Sequence, residues 1–223
     1  MASATAPTLG MAIPCYKPHI PKLLRLLDCI EKQTRKPDAV LVSCSSMPES
    51  EPRPAFPEYS FEFKIVYHVG KMNASMNRNF AASQLATDYV SFFDADDIMH
   101  PQRLEAISMA IAGGADFIVH SYSKTPLQTE PALFSDISVL YDTLIKTEPN
   151  PYGFHQLGGI RGCRVHHGQP TVHRSILEKI QFPIELQYGE DSIFCTNGLP
   201  HSTKNAYIHL PLSIYLPSGS WSR

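Results

Sequence analysis

Apolar residues fall along this chain in short runs and helix-spaced stripes, and their order predicts an alternating α/β protein. Leu9 to Pro14 (LGMAIP) is a continuous apolar run of strand length, which Pro14 is expected to end because it offers no N–H to a ladder. Pro21 suits the first turn of a helix, and Leu23, Leu24, Leu27 and Ile30 recur at helical spacing until a stop before Pro37. Ala39 to Ser43 (AVLVS) predicts a second strand, so strand, helix and strand form a βαβ unit with parallel pairing and a right-handed crossover. A loop rich in Pro, Glu and Ser runs from Met47 to Tyr59, followed by a third strand over Phe61 to Val69. A loop from Gly70 to Ser75, a helix from Met76 to Leu85 and a buried strand from Tyr89 to Phe93 come next.

That last strand ends abruptly in three carboxylates, Asp94, Asp96 and Asp97, before Pro101 opens another helix with Leu104, Ile107 and Ile111 on one face. Strand, acidic turn and helix is how an open α/β sheet builds a site at the carboxyl end of a strand. If the pleat persisted, Asp94 and Asp96 would share a face. Clustered carboxylates are costly unless a cation compensates them. Their oxygen-only chemistry suits Mg²⁺ or Mn²⁺, which keep waters and take further ligands from a substrate phosphate. The same residues also fit a plain loop in which Asp97 caps the following helix.

Beyond this turn, Ala115 to His120 predicts a further buried strand. Ser121 to Gly168 carries Pro126, Pro131, Pro149 and Pro151 with Gly153, Gly158, Gly159 and Gly162, and reads as an acceptor-side insertion or lid, with short helices near Ser138 to Lys146. Strand character returns over Gln169 to Val172, then a short helix over Ser175 to Ile180. Gly189-Glu190-Asp191 introduces an amphipathic turn, Ser192 to Asn197, and Ala206 to Leu216 reads as a late strand pair before a Ser/Gly/Trp tail.

Composition narrows the class. At 223 residues and 43% hydrophobic content, one domain with a sizeable core is expected. With a net charge of −2, nothing suggests a nucleic-acid surface or an anionic-membrane patch. The five cysteines, Cys15, Cys29, Cys44, Cys163 and Cys195, are odd in number and lack C-x-x-C spacing, which predicts reduced thiols in a cytoplasmic setting, not a disulfide framework or zinc site. Residues 1–8 do not read as a signal peptide, and no run reaches transmembrane length. Asn73-Ala74-Ser75 matches a glycosylation acceptor by pattern only.

Four stretches stand in a fixed order: AIPCYKP, MNRNFAASQLATDYVSFFDADD, PTVHRSIL and YGEDSIF. Together they resemble the family 2 glycosyltransferases, whose fold is the GT-A nucleotide-diphosphosugar domain, across roughly Leu9 to Asn197. The second stretch is the most specific, because an R-N dipeptide, a helix and then FFDADD is far rarer than D-x-D alone. The resemblance implies a single GT-A domain over 1–223, a mixed, mostly parallel sheet flanked by helices. Its donor half would lie at about 9–120 and its acceptor half at about 121–223.

The resemblance also implies roles. Asp96 would ligate Mn²⁺ or Mg²⁺ bridging the donor diphosphate, and Asp94 would contact the donor ribose or sugar or reach the metal through water. Ala95 sits between them on the donor-binding turn, and Asp97 would orient that turn or touch the sugar. Arg78 would lie near the diphosphate, where a guanidinium pairs with phosphate oxygens. Pro14 and Tyr16 would border the base, and Glu190 would border the donor beside Asp191, the general base for the acceptor hydroxyl. Helix capping is the structural alternative for Glu190-Asp191, as a solvated helix position is for Arg78. The implied reaction is inverting transfer from a nucleotide-diphosphosugar, a UDP-sugar favoured, to a hydroxyl on a glycan or glycoconjugate.

The chain departs from the family at the end of the second strand, where an acidic pair usually reads the base and Ser43-Cys44-Ser45-Ser46 stands instead. Ser43, Cys44 or Ser45 could offer hydrogen bonds there. His209 is a candidate for the family's late metal histidine or a packed strand residue, and CRVHHGQPTVH (163–173) matches no zinc spacing. Two alternatives remain: a metal-dependent phosphohydrolase with an aspartyl nucleophile, which shares the local SFFDADD pattern, and a non-catalytic sugar-nucleotide-binding relic. The phosphohydrolase pattern wants its strand near the chain start and Thr or Val where Ile98 stands. A nucleotidyltransferase lacks its Gly-rich loop here, and a protease its nucleophile elbow or H-E-x-x-H.

Overall fold

The computed structural model describes residues 6–124, 131–137, 141–142 and 169–216. The expected short helices near 138–146, most of the insertion, Cys163 and the tail beyond Leu216 lie outside these residues.

The strands are β1 (Leu9–Tyr16), β2 (Ala39–Ser45), β3 (Glu62–Tyr67), β4 (Tyr89–Phe92), β5 (Ile98–Met99), β6 (Phe117–Ser123), β7 (Tyr141–Asp142), β8 (Thr171–His173) and β9 (Asn205–Ile214). The helices are α1 (Ile20–Glu31), α2 (Ala74–Gln84), α3 (Arg103–Ala112), α4 (Arg174–Leu177) and α5 (Glu190–Gly198). All nine strands join one sheet in the order β3-β2-β1-β4-β8-β6-β9-β5, with β7 on β9. β3, β2, β1 and β4 run parallel, β8 is antiparallel to both β4 and β6, and β9 is parallel to β6. Strands from both halves of the chain therefore interleave in one mixed, mostly parallel sheet.

Helices cover both faces. Leu23, Leu26, Leu27 and Ile30 of α1 join Leu104 and Ile107 of α3 in one fully buried cluster. Leu26, not Leu24, completes the α1 stripe. On the other face, Ala81 of α2, Ile176 of α4 and Phe194 and Cys195 of α5 pack on Phe92 and Phe117. Each fully buried leucine or phenylalanine contributes about 1.5–3 kcal/mol.

Several boundaries differ from expectation for identifiable reasons. Pro14 does not end β1, which stays paired with β2 through Tyr16↔Ser45. The carbonyl of Ala12 accepts from Phe93 N on the β4 side, so Pro14, of the same parity, points its missing donor beyond the end of β4. α2 starts at Ala74 because the side chain of Asn73 accepts from Met76 N, and Asn73 Nδ2 also donates to the Ile184 carbonyl at 2.7 Å. That amide is committed inside the fold. The late strand pair is one strand, β9, whose register against β6 shifts twice after His120. Within the segment expected to be irregular, β6 extends to Ser123, and Phe134 stacks on His100 while pairing its backbone with the Gln102 side chain.

One carboxylate outside the acidic turn ties β6 to the approach of β9. Asp116 accepts from Ser202 Oγ, Thr203 N, Thr203 Oγ1 and Lys204 N. Burial raises its pKa, but the Ser202 and Thr203 bonds outweigh that and hold it below the ordinary value. A depressed pKa adds stability above the unfolded value that is lost as pH falls through the folded one. Asp116→Asn is expected to cost about 2 kcal/mol at neutral pH. In urea unfolding, the gap from the parent should close as pH falls below the ordinary carboxylate range.

Candidate active site

The acidic turn sits where β4 stops. β4 ends at Phe92, and Asp97 N donates to the Asp94 carbonyl at 3.3 Å, closing a turn over 94–97. The pleat does not persist, and the two aspartates are drawn apart. Asp94 Oδ1 accepts from Arg78 at 2.7 Å. Asp96 Oδ2 lies 3.8 Å from both His19 Nε2 and Lys22 Nζ, and Arg25 donates to the Asp96 carbonyl at 2.9 Å. One carboxylate thus faces α2 and the other faces α1. Ala95 between them is buried in the core cluster beneath the turn.

Asp97 does not cap a helix. The β5 bridge to β9 intervenes, and α3 begins only at Arg103, with Gln102 in the cap position. The buried Asp97 carboxyl instead accepts from Leu216 N at 3.0 Å and Gln169 Nε2 at 2.6 Å. Burial, with Asp94 adding to it, pushes its pKa up to about 8. It orients the turn by tying it to two distant segments. Behind it, the fully buried Arg103 donates to His120, Ser91 and the carbonyls of Phe92 and Gln169, and burial pushes its pKa down to about 9.

Arg78 joins the turn to the far end of the chain. Its guanidinium donates to Asp94 at 2.7 Å and to Glu190 at 2.9 Å, and it is only 3% exposed. Burial opposes the charged guanidinium, but Asp94 and Glu190 outweigh it and raise its pKa. Burial and the neighbouring Asp96 and Glu190 carry Asp94 up to about 6, against Arg78, so the carboxylate meets Arg78 at neutral pH. The next residue, Asn79, pairs both edges of its amide with the backbone of Phe182 at 2.8 and 2.9 Å. The R-N dipeptide therefore holds the segment that leads into α5, a role the motif alone did not reveal.

α5 is seated by aromatic packing. Phe194 stacks on Phe182 at 3.9 Å and meets Phe92 edge-on, while the Arg78 guanidinium lies 5.1 Å over Phe182. A Cβ on Gly198 would come within 2.6 Å of Phe117, so only glycine lets α5 approach β6 this closely. Gly189 precedes the helix with φ 76°, and Glu190 and Asp191 occupy its first turn. Glu190 is spent on Arg78, whereas Asp191 Oδ1 accepts from Ser192 N at 2.8 Å.

At the ends of β1 and β2, Pro14 is buried and Tyr16 is half-buried, its ring edge-on to His19 at 4.3 Å. Ser43 bonds His68 and Asn77, Ser45 accepts from Asn77 and donates to the Met72 carbonyl, and Cys44 faces Cys15 across the ladder. All three side chains are fully buried, so they form the floor of this region. His209 is half-buried against Tyr207, and residues 163–168 of the histidine-rich run lie outside the described residues.

Among the described residues, no group of three or more His, Cys, Asp or Glu stands together to hold a metal. The donor set still fits a hard divalent ion that takes one carboxylate from the protein and its remaining ligands from phosphate and water. Asp96 would be that carboxylate, since Asp94 is held by Arg78. No described helix is long and apolar enough to cross a membrane.

The sheet order and the acidic turn at the end of β4 define a GT-A fold. A profile of glycosyl transferase family 2 matches residues 11–169, more than half of the chain, and the chain belongs to that family. This sets aside the aspartyl-nucleophile phosphohydrolase. S. aureus TarS 1-349 in complex with UDP is similar, with a TM-score of 0.68 and 14% identity over 96% of this chain and 62% of that one. The TarS 1-349 complex with UDP-GlcNAc aligns with the same TM-score and identity over 59% of its length. The mannosyltransferase PcManGT from Pyrobaculum calidifontis, in complex with GDP-Man and Mn²⁺, aligns with a TM-score of 0.61 and 16% identity over 98% of this chain and 59% of that one. The chain thus spans about three fifths of the length of these solved relatives. A search of curated protein sequences gives no match.

Proposed function

We propose that this chain transfers a sugar from a nucleotide-diphosphosugar to an acceptor hydroxyl, with inversion at the anomeric carbon. The observation that carries this reading is the bridge Asp94–Arg78–Glu190, which fixes the donor-side turn and the first turn of α5 relative to each other. Transfer needs that pairing: one carboxylate group facing the donor and another, apart from it, taking a proton from the acceptor. Asp191 serves as base, because its neighbour Glu190 is committed to Arg78. Residues 9–120 supply the donor face, where Pro14, Tyr16 and the ends of β1 and β2 border the base. Residues 121–223 supply the acceptor face, which takes a glycan or glycoconjugate.

Asp96 would hold Mn²⁺ or Mg²⁺, which when bound would supply charge neutralisation for the leaving diphosphate, and Asp94 would face the donor from its place on Arg78. Solved structures of this fold in complex with UDP, with UDP-GlcNAc, and with GDP-Man and Mn²⁺ support the donor class, and a UDP-sugar is favoured.

Thermal unfolding with UDP, GDP, dTDP or CMP, each with and without Mn²⁺, tests this. A diphosphate at about 100 times its Kd should raise Tm by about 5–10 °C, and only with metal. If no nucleoside diphosphate stabilises the protein under either condition, the transferase reading fails.

A further inference from the structure

The acidic turn meets a cation supplied by the protein itself. His19, immediately before α1, and Lys22 and Arg25 on its first two turns follow at intervals of three residues and all reach the turn. Arg25 grips the Asp96 carbonyl and leaves the carboxylate to the other two. Of the two, the His19 side chain is 3% exposed and fixed in the fold, whereas that of Lys22, also 3.8 Å from the 8% exposed Asp96 carboxylate, is 39% exposed and carries the ammonium that can move.

We propose that Lys22 is the resident counter-ion of Asp96 and is displaced when a divalent metal binds, so that Lys22 sets the metal affinity of the site. This rests on the metal-dependent reading above. A carboxylate oxygen that accepts a divalent ion at coordination distance brings that ion against an ammonium within a few ångströms, and like charges so close repel strongly. Asp94 offers no alternative seat, since Arg78 holds it on the other side of the turn. Lys22 has a way out: a long side chain already partly in water swings away at little cost. Arg25 keeps the backbone of the turn in place meanwhile. The site then discriminates between a monovalent charge it carries and a divalent one it must acquire.

Mn²⁺ titration followed by electron paramagnetic resonance, with UDP present and absent, tests this on the full chain and four variants. Lys22→Met should tighten Mn²⁺ binding by about five-fold. Lys22→Arg, which keeps the charge, should not. Lys32→Met removes the same charge at the far end of α1, about 15 Å along the axis, and should leave binding unchanged. Asp96→Asn should abolish it. Unchanged or weaker binding in Lys22→Met overturns the proposal and, with Asp96→Asn still inactive in binding, leaves the metal reading standing. Equal tightening in Lys22→Met and Lys32→Met also overturns it, because the effect is then one of overall field. If neither the parent nor Lys22→Met binds Mn²⁺ in the presence of UDP, the metal reading and the proposal fail together.

Discussion

Asp191→Asn leaves donor binding where it was and lowers sugar transfer by about 10³-fold. The expectation follows from how α5 divides its two carboxylates. Glu190 faces inward and is held by Arg78 at 2.9 Å, so it cannot take up a proton without breaking a buried ion pair. Asp191, one residue on, sits in the first turn of a helix fixed by Phe182, Phe194 and Phe92. A carboxylate so placed has an oxygen that can accept a proton from an acceptor hydroxyl. An asparagine keeps the shape and can still accept from Ser192 N, but it has no basic oxygen. Calorimetry with UDP and Mn²⁺ reads the donor side, and release of UDP from a UDP-sugar in the presence of acceptor reads the chemistry. A variant that transfers at the parent rate would remove Asp191 from the mechanism.

The second large effect is on stability. Arg78→Met strands two carboxylates, Asp94 and Glu190, which both rely on one buried guanidinium. Removing one partner of a buried pair costs about 3–5 kcal/mol, because the charge left behind is uncompensated. Urea unfolding should show that loss. Arg78→Lys recovers only part of it, since an ammonium cannot span both partners as a planar fork does. The triple change Asp94→Asn, Arg78→Met and Glu190→Gln should recover most of the stability while transfer stays lost. If the single Arg78→Met variant unfolds at the parent urea concentration, the bridge is not what fixes α5.

Much of this arrangement was legible from local pattern. The run Tyr89–Phe93, the carboxylates after it and the helical spacing beyond placed the acidic turn, and Gly189-Glu190-Asp191 marked a helix start. What stayed hidden depends on contacts between residues far apart in sequence. Nothing near Lys22 or Arg25 says that they face Asp96, more than seventy positions on. The antiparallel insertion of β8 between β4 and β6 is likewise invisible in a three-residue segment. Pro14 misled for a different reason: a proline breaks a ladder only if its missing donor faces a partner, and here β4 has already ended. The pleat argument for Asp94 and Asp96 failed because β4 stops two residues before the first of them.

The two ends of the described chain are held at opposite ends of β4. Thr8 bonds Asp88 at the entry to β4, whereas Leu216 N is held by Asp97 in the acidic turn. For anyone attaching an affinity handle, a fluorophore or a fusion partner, the two attachment points are therefore not equivalent. Cargo placed ahead of Thr8 departs from the end of β4 remote from the acidic turn. Cargo placed after Leu216 leaves from beside the acidic turn, the face proposed for the donor.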